Sequence, residues 1–191
     1  MQFIDYNEYD STLKKTSWDK SANEALIFDK HPKHHVTNFD LVEKAMGRIF
    51  HRDLRKSCDA YVEKNGKRYL IEFKNQSDTK VDATDIRNKI YESIALLALN
   101  ENIPRELLAQ QTVVIVVYNK KKHVQDKSTA APAPSIDKLT KKLKSYANKR
   151  DLESYPKKFL VSSFSGKLIH NAYTVDVEDF QNEFMPMLFD E

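Results

Sequence analysis

Residues 57–74 read Ser57-Cys-Asp-Ala-Tyr-Val-Glu-Lys-Asn-Gly-Lys-Arg-Tyr-Leu-Ile-Glu-Phe-Lys74. Two runs rich in β-branched and aromatic residues, Cys58 to Val62 and Arg68 to Phe73, flank Asn65-Gly66, the pair that most readily supplies the two positive φ angles of a type I′ turn. A two-residue turn sets the register of its hairpin. Lys64 then faces Lys67, Val62 faces Tyr69, Ala60 faces Ile71, and Asp59 faces Glu72. Side chains alternate along a strand, so Asp59, Glu72 and Lys74 share one face while Cys58, Ala60, Ile71 and Phe73 point to the other. The second face reads as core and the first as chemistry. Like charges placed directly opposite destabilise a sheet, so the carboxylate pair calls for compensation. A divalent cation held by both would supply it, as would the Lys74 ammonium on the same face. A hard cation such as Mg²⁺ takes one or two carboxylates and keeps several waters, which leaves positions open for a phosphate.

Helical patterns lie on either side of the hairpin. From Asp40 to Leu54, the residues Leu41, Val42, Ala45, Met46, Ile49 and Phe50 form an apolar face, and Asp40 with Glu43 has the spacing of a capping box. After a polar loop over 75–83, a second helix is expected from Thr84 to Asn100, with Ile86, Ile90, Ile94 and Leu97 as its stripe and Arg87 and Tyr91 together at its flank. Val113-Val-Ile-Val-Val117 follows, a continuous apolar run suited to a strand covered on both faces. Strand, helix, strand in this order implies a parallel crossover that brings Val113 to Val117 beside the hairpin in one mixed sheet.

Asp59, followed by Glu72-Phe73-Lys74 at the end of the next strand with a helix on either side, resembles the signature of the PD-(D/E)XK nuclease superfamily, the restriction-endonuclease-like fold. Cys58 stands where the name-giving Pro would be. The resemblance implies an α/β fold with an αβββαβ core, a central mixed sheet flanked by helices, extended here at the C-terminus. It also implies that Asp59 and Glu72, with the backbone carbonyl of Phe73, bind Mg²⁺ or Mn²⁺, and that Lys74 orients or activates the attacking water. Many members place a glutamate of the first helix beside the metal, a role that would fall to Glu43, although capping explains Glu43 equally well. Phage-type exonucleases of the superfamily carry Gln-x-x-x-Tyr on the second helix near the substrate phosphate. Arg87 and Tyr91 keep that spacing without the Gln, and a solvated Arg beside a partly buried Tyr accounts for them as well.

A chain of 191 residues is of single-domain size. It divides into an N-terminal arm (1–36), a core (37–119), and a basic linker, helix and C-terminal strands (120–191). Apolar residues make up 40% and charged residues 31%, and no apolar run approaches the ~20 residues of a membrane span. With an acidic, polar start in place of a basic and apolar leader, the expected location is the cytoplasm. Cys58 is the only cysteine, which excludes a disulfide framework and a cysteine zinc site, and its strand position makes it a buried, inert thiol. In the arm, Ser21 to Asp29 is expected as a short helix, with Phe3, Tyr6 and Trp18 packing on the body. His31, His34 and His35 read as loop residues around Pro32 rather than as a metal site. Three glycines in the whole chain argue against a phosphate-binding glycine loop.

Charge is unevenly spread. Residues 120–158 hold twelve Lys or Arg against four acids, a balance of +8 within a net charge of +3, so the remainder is acidic. Within this segment Ala130-Ala-Pro-Ala-Pro134 has the composition of a linker. Ile136 to Arg150 reads as an amphipathic helix bearing Lys138, Lys141, Lys142 and Lys144, either a solvated face or the basic wall of a cleft. Phe159 to Phe164 and Ala172 to Val177 are expected as strands.

These features lead to a metal-dependent nuclease hydrolysing phosphodiester bonds of nucleic acid, with DNA the first expectation, Lys138, Lys141 and Lys142 on substrate phosphates, and a homodimer compatible with the fold. The alternative is a catalytically inactive module of the same fold that binds nucleic acid or a protein partner. A third reading is a metal-free accessory protein whose acidic C-terminus covers its basic face.

Overall fold

The computed structural model describes residues 3–27, 34–51, 56–77, 79–122, 155, 158–159 and 161–189. In chain order the elements are β1 (Asp10–Thr12), α1 (Leu13–Thr16), β2 (Trp18–Asp19), β3 (Glu24–Ala25), β4 (His35–Asn38), α2 (Phe39–Phe50), β5 (Ala60–Lys64), β6 (Lys67–Lys74), α3 (Ala83–Glu101), α4 (Arg105–Gln111), β7 (Thr112–Tyr118) and β8 (Asn171–Asp176). The chain closes with α5 at 177–189, which runs through Val177–Asp179, a π-helical turn at Phe180–Phe184, and Met185–Phe189. Six strands form one mixed sheet in the order β1-β4-β5-β6-β7-β8, while β2 and β3 pair separately.

The hairpin takes the register set by its turn. Asn65 and Gly66 adopt φ angles of 52° and 69°, and Lys64 faces Lys67, Val62 faces Tyr69 and Ala60 faces Ile71. Beyond β6 the sheet turns parallel, with Glu72 level with Val116 and Lys74 with Tyr118, and β8 continues parallel to β7. This is the crossover arrangement expected from the strand, helix, strand order.

Both faces of the sheet are covered. On one, α2 and α3 pack Phe39, Val42, Met46, Ile86, Ile90, Ile94 and Leu97 against Leu70, Val114 and Val116. On the other, Phe180, Phe184 and Leu188 of α5, with Leu13 and Ile27, pack against Ile71, Phe73, Val113, Ile115 and Val117. All of β7 is buried, as its unbroken apolar run requires; each such side chain stabilises by about 1.5–3 kcal/mol relative to exposure. The face of the hairpin read as chemistry is therefore covered as well as the face read as core. Glu72 points into the face covered by α2 and α3, and its side chain has 0% exposure.

Local chemistry explains the other departures. The N-cap of α2 is Asn38, whose side chain accepts from the Leu41 N–H, and the helix stops at Phe50 because His51 is left-handed. Asp40 lies in the first turn, so the Asp40–Glu43 capping box does not form, and Leu41 and Ile49 are exposed. The expected helix over Ser21 to Asp29 is replaced by the β2–β3 pair. Asp19 Oδ1 accepts from the N–H groups of Ser21 and Ala22, and such side-chain bonds compete with helix formation.

The arm does dock, since Asn100 on α3 accepts from the N–H groups of Phe3 and Ile4 and donates to the Ile4 carbonyl. Tyr6 packs on Tyr61 with ring centroids 5.0 Å apart, although Trp18 is exposed. Within Phe159 to Phe164, residues Val161–Ser163 form a 3₁₀ turn rather than a strand, while the second expected strand is β8. One further difference concerns order. Among the described residues two strands, not three, lie between α2 and α3, and the third antiparallel strand, β4, precedes α2 and pairs with β5. The architecture is α/β with a central mixed sheet flanked by helices. Among the described residues no helix is long and apolar enough to cross a membrane.

Candidate active site

The site forms where the hairpin ladder ends. In a two-residue hairpin the pairs 64/67, 62/69 and 60/71 exchange both backbone bonds, so continued pairing would aim the Phe73 N–H at the Cys58 carbonyl. The ladder stops at Ala60–Ile71, and the Phe73 N–H donates instead to Asp59 Oδ2 at 2.6 Å. Cys58 N–H donates to Ser93 Oγ of α3 at 2.8 Å, and Ser57 Oγ donates to Asp40 Oδ1 of α2 at 2.9 Å.

Residues 57–59 are thus strung between the two helices. Cys58, expected beside Ala60, Ile71 and Phe73, is instead buried with Phe39, Leu70 and Ile90 on the opposite face. Its inert character stands, because burial and the nearby Glu72 charge push the thiol far above its ordinary value.

Asp59, Glu72 and Lys74 do come together, joined by residues that the sequence reading did not single out. Lys89 Nζ of α3 lies 2.8 Å from Glu72 Oε1, 3.1 Å from Glu72 Oε2 and 3.4 Å from Asp59 Oδ1. Lys74 Nζ lies 2.9 Å from Glu72 Oε1 and 2.8 Å from Asp85 Oδ2. Lys56 Nζ meets Asp85 Oδ1 at 2.5 Å. Three carboxylates therefore face three ammonium groups. Asp59, Lys74, Asp85 and Lys89 each keep a small exposed edge of 14–23% of the side chain, so solvent reaches the rim of the network but not Glu72.

Helix geometry explains the selection. At 100° per residue, Asp85 and Lys89 lie four apart on one flank of the α3 stripe, and Arg87 and Tyr91 lie on the opposite flank. The Asp85/Lys89 pair was recognisable as i, i+4 neighbours beside Ile86 and Ile90, but nothing local says that this flank meets the carboxylates. Arg87 sits with its guanidinium 5.6 Å from the Phe164 ring centroid, and Tyr91 accepts from Arg105 at 3.3 Å. The structure gives those two residues separate partners away from the carboxylate network.

Burial and charge set the protonation. Burial and the Glu72 charge raise Asp59 well above an ordinary Asp, against the pull of Lys89 and the Phe73 N–H. Burial likewise raises Glu72, opposed by Lys89 and Lys74. For both lysines burial works the other way, yet the carboxylates outweigh it and hold Lys74 above the usual value and Lys89 far above it. Both remain ammonium ions at neutral pH, so Lys74 is a donor and a charge, not a ready base.

Glu43 is buried on α2, where burial and Asp40 raise its carboxyl against the pull of Lys44 and Lys89. Among the described residues no three His, Cys, Asp or Glu side chains form a group that could hold a metal ion. Of the histidine trio, His34 stacks on Phe189, His35 pairs with Asp10, and His31 lies outside the described residues. So do Lys138, Lys141 and Lys142. No family model, curated protein or solved structure matches the chain.

Asp85 provides a test of the network. Burial opposes its charged form, but hydrogen bonds from Lys56 and Lys74 prevail and lower its pKa from 3.8 to about 2. A depressed carboxylate contributes stability that is present above its unfolded pKa and lost as pH falls through the folded one, here roughly 2 kcal/mol. The stability gap between the parent and Asp85→Asn, measured by urea denaturation, should stand at pH 6, shrink below 3.8 and close near pH 2. A gap constant over that range would show that the Asp85 charge is not what holds Lys56 and Lys74.

Proposed function

We propose that this chain is a metal-dependent nuclease, hydrolysing phosphodiester bonds of nucleic acid with DNA as the first substrate to test, on a variant of the restriction-endonuclease-like fold. The observation that carries the reading is the convergence of Asp59 and Glu72 on one cation position, with the Lys74 ammonium beside them at the end of β6. The antiparallel trio β4-β5-β6 and the parallel β7 support it, although the placement of α2 between β4 and β5 departs from the αβββαβ order.

The donor set suits a hard divalent cation. The position between the two carboxylates already holds a positive charge, the ammonium of Lys89, and two carboxylates with water complete a common Mg²⁺ environment. Asp59, Glu72 and the Phe73 carbonyl would hold Mg²⁺ or Mn²⁺, which when bound supplies charge neutralisation at the phosphate and a more acidic water. The chain's own groups do the rest. The Phe73 N–H fixes the orientation of Asp59. Lys74, braced by Glu72 and Asp85, presents a preorganised donor for a water or a phosphate oxygen, where developing negative charge is stabilised.

The engagement of Asp59, Glu72 and Asp85 by Lys56, Lys74 and Lys89 favours a second reading, a catalytically silent module of the same fold that binds nucleic acid or a protein partner. Incubation of the purified protein with linear, circular and branched DNA and RNA under Mg²⁺ or Mn²⁺ separates the two. Cleavage that disappears in Asp59→Asn supports the nuclease, and no cleavage of any substrate supports the module. Metal binding itself is read by calorimetry: one divalent ion is expected in the parent and none in Asp59→Asn. Equal binding by that variant would move the metal elsewhere.

Substrate contact is assigned to the basic segment. If residues 120–158 lie on phosphates, affinity for DNA falls steeply with salt, by a slope of about −0.9 for each phosphate neutralised on a duplex. Neutralising Lys138, Lys141, Lys142 and Lys144 together should flatten that slope, read by fluorescence anisotropy at several salt concentrations. An unchanged slope would leave the segment a solvated surface.

A further inference from the structure

Lys89 is the residue whose position the proposed reaction leaves unexplained. Its Nζ contacts both carboxylates at once, and its side chain is only 18% exposed. Lys74, by contrast, reaches Glu72 but finds its second partner in Asp85. The two lysines therefore differ in place: Lys74 stands beside the carboxylate pair, while Lys89 stands between its members. A dication and an ammonium cannot share that space, because like charges about 3–4 Å apart repel strongly wherever water does not screen them.

We propose that Lys89 is a displaceable internal counter-ion that occupies the metal position of the resting protein, so that metal binding and the Lys89–Asp59–Glu72 contact exclude each other. The inference rests on the reading of Asp59 and Glu72 as the metal pair. Lys89 bridges the buried Glu72 and the partly exposed Asp59, and so keeps α3 seated on the end of β6, until a divalent ion takes over that charge. Its long, flexible stem allows the ammonium to move to the exposed rim without any change in α3. There it can meet the anionic substrate that arrives with the metal. The affinity for metal is in this way set by an internal competitor as well as by the ligands.

Calorimetric titration with Mn²⁺ of the parent, Lys89→Gln, Asp59→Asn and the Lys89→Gln/Asp59→Asn double variant tests this. Removal of the competing charge should tighten Mn²⁺ binding by about tenfold or more. Mn²⁺ should also raise the melting temperature of Lys89→Gln by more than that of the parent, and both effects should vanish in the double variant. Equal affinity in the parent and Lys89→Gln, with binding lost in Asp59→Asn, overturns the competition and leaves the metal pair standing. Absence of binding in both the parent and Lys89→Gln, or binding indifferent to Asp59→Asn, overturns the metal pair and the competition with it.

If Lys89→Gln fails to fold, the parent itself supplies the measurement. The side-chain ammonium NMR signal of Lys89, identified by its position and slow proton exchange, should move toward that of a solvated lysine as Mg²⁺ binds. A signal unchanged at full Mg²⁺ occupancy would overturn the proposal.

Discussion

On the proposed nuclease reading, Lys74→Met should lose about 10²–10³-fold in cleavage rate at saturating Mg²⁺ or Mn²⁺, the scale of removing one preorganised donor from a buried site. The variant keeps its fold, because Glu72 retains Lys89 at 2.8 Å and Asp85 retains Lys56. Any metal held by Asp59 and Glu72 should be retained, since a protonated amine has no lone pair to donate and Lys74 would not be a ligand. What it would lose, on that reading, is a positive charge aimed at the place where negative charge develops. Single-turnover rates under saturating metal measure the effect directly. A variant that cleaves like the parent would free Lys74 from any catalytic part.

Arg68→Met should cost about 3–5 kcal/mol of stability, the usual loss when one member of a buried ion pair is removed and the other is left behind. Arg68 and Lys74 lie near opposite ends of the same strand, and the contrast between them is instructive. Arg68 Nε and Nη2 both donate to Glu101 Oε2, at 3.0 and 2.5 Å, and Nη1 donates to Gln111 Oε1 at 2.5 Å. The side chains of Arg68 and Glu101 are only 10% and 12% exposed.

Tyr6 O–H adds a bond to Glu101 at 3.3 Å, so the cluster ties the arm, α3 and the sheet together. Urea denaturation of Arg68→Met reads the loss, and Arg68→Met/Glu101→Leu should recover most of it because no charge is then left unpaired. A single-variant loss below about 1 kcal/mol would place the pair among solvated surface bridges. The metal binding proposed for the other end of β6 should be unaffected in either variant.

Each end of β6 shows how far the sequence could be read. The register of the hairpin followed from Asn65-Gly66 alone, because a two-residue turn with two positive φ angles admits one pairing. The stripe of α3 followed from its apolar period, the burial of β7 from its continuous apolar run, and the parallel pairing of β6 with β7 from the strand, helix, strand order. With these in place, Glu72 and Lys74 had to share a face, and Asp59 had to lie at the end of the neighbouring strand. The turn, the helical stripe and the strand alternation are short-range constraints, and the order of the elements extends them to the neighbouring strands.

Other features depended on which surface meets which. That α2 and α3 cover the face bearing Glu72 left its carboxylate fully buried. The same packing drew Cys58 N–H to Ser93 and released the Phe73 N–H to Asp59. Two flanks of α3 looked alike in sequence: Arg87 with Tyr91, and Asp85 with Lys89. The packing of α3 on the sheet decided that the second pair meets the carboxylates, and no local pattern encodes that packing. The chain by itself thus determined the hairpin, the central strands and the meeting of Asp59, Glu72 and Lys74, because backbone geometry propagates such relations over short distances. Only the tertiary structure decided that Lys89 closes the site, because that contact joins residues brought together by the packing of α3 on the sheet.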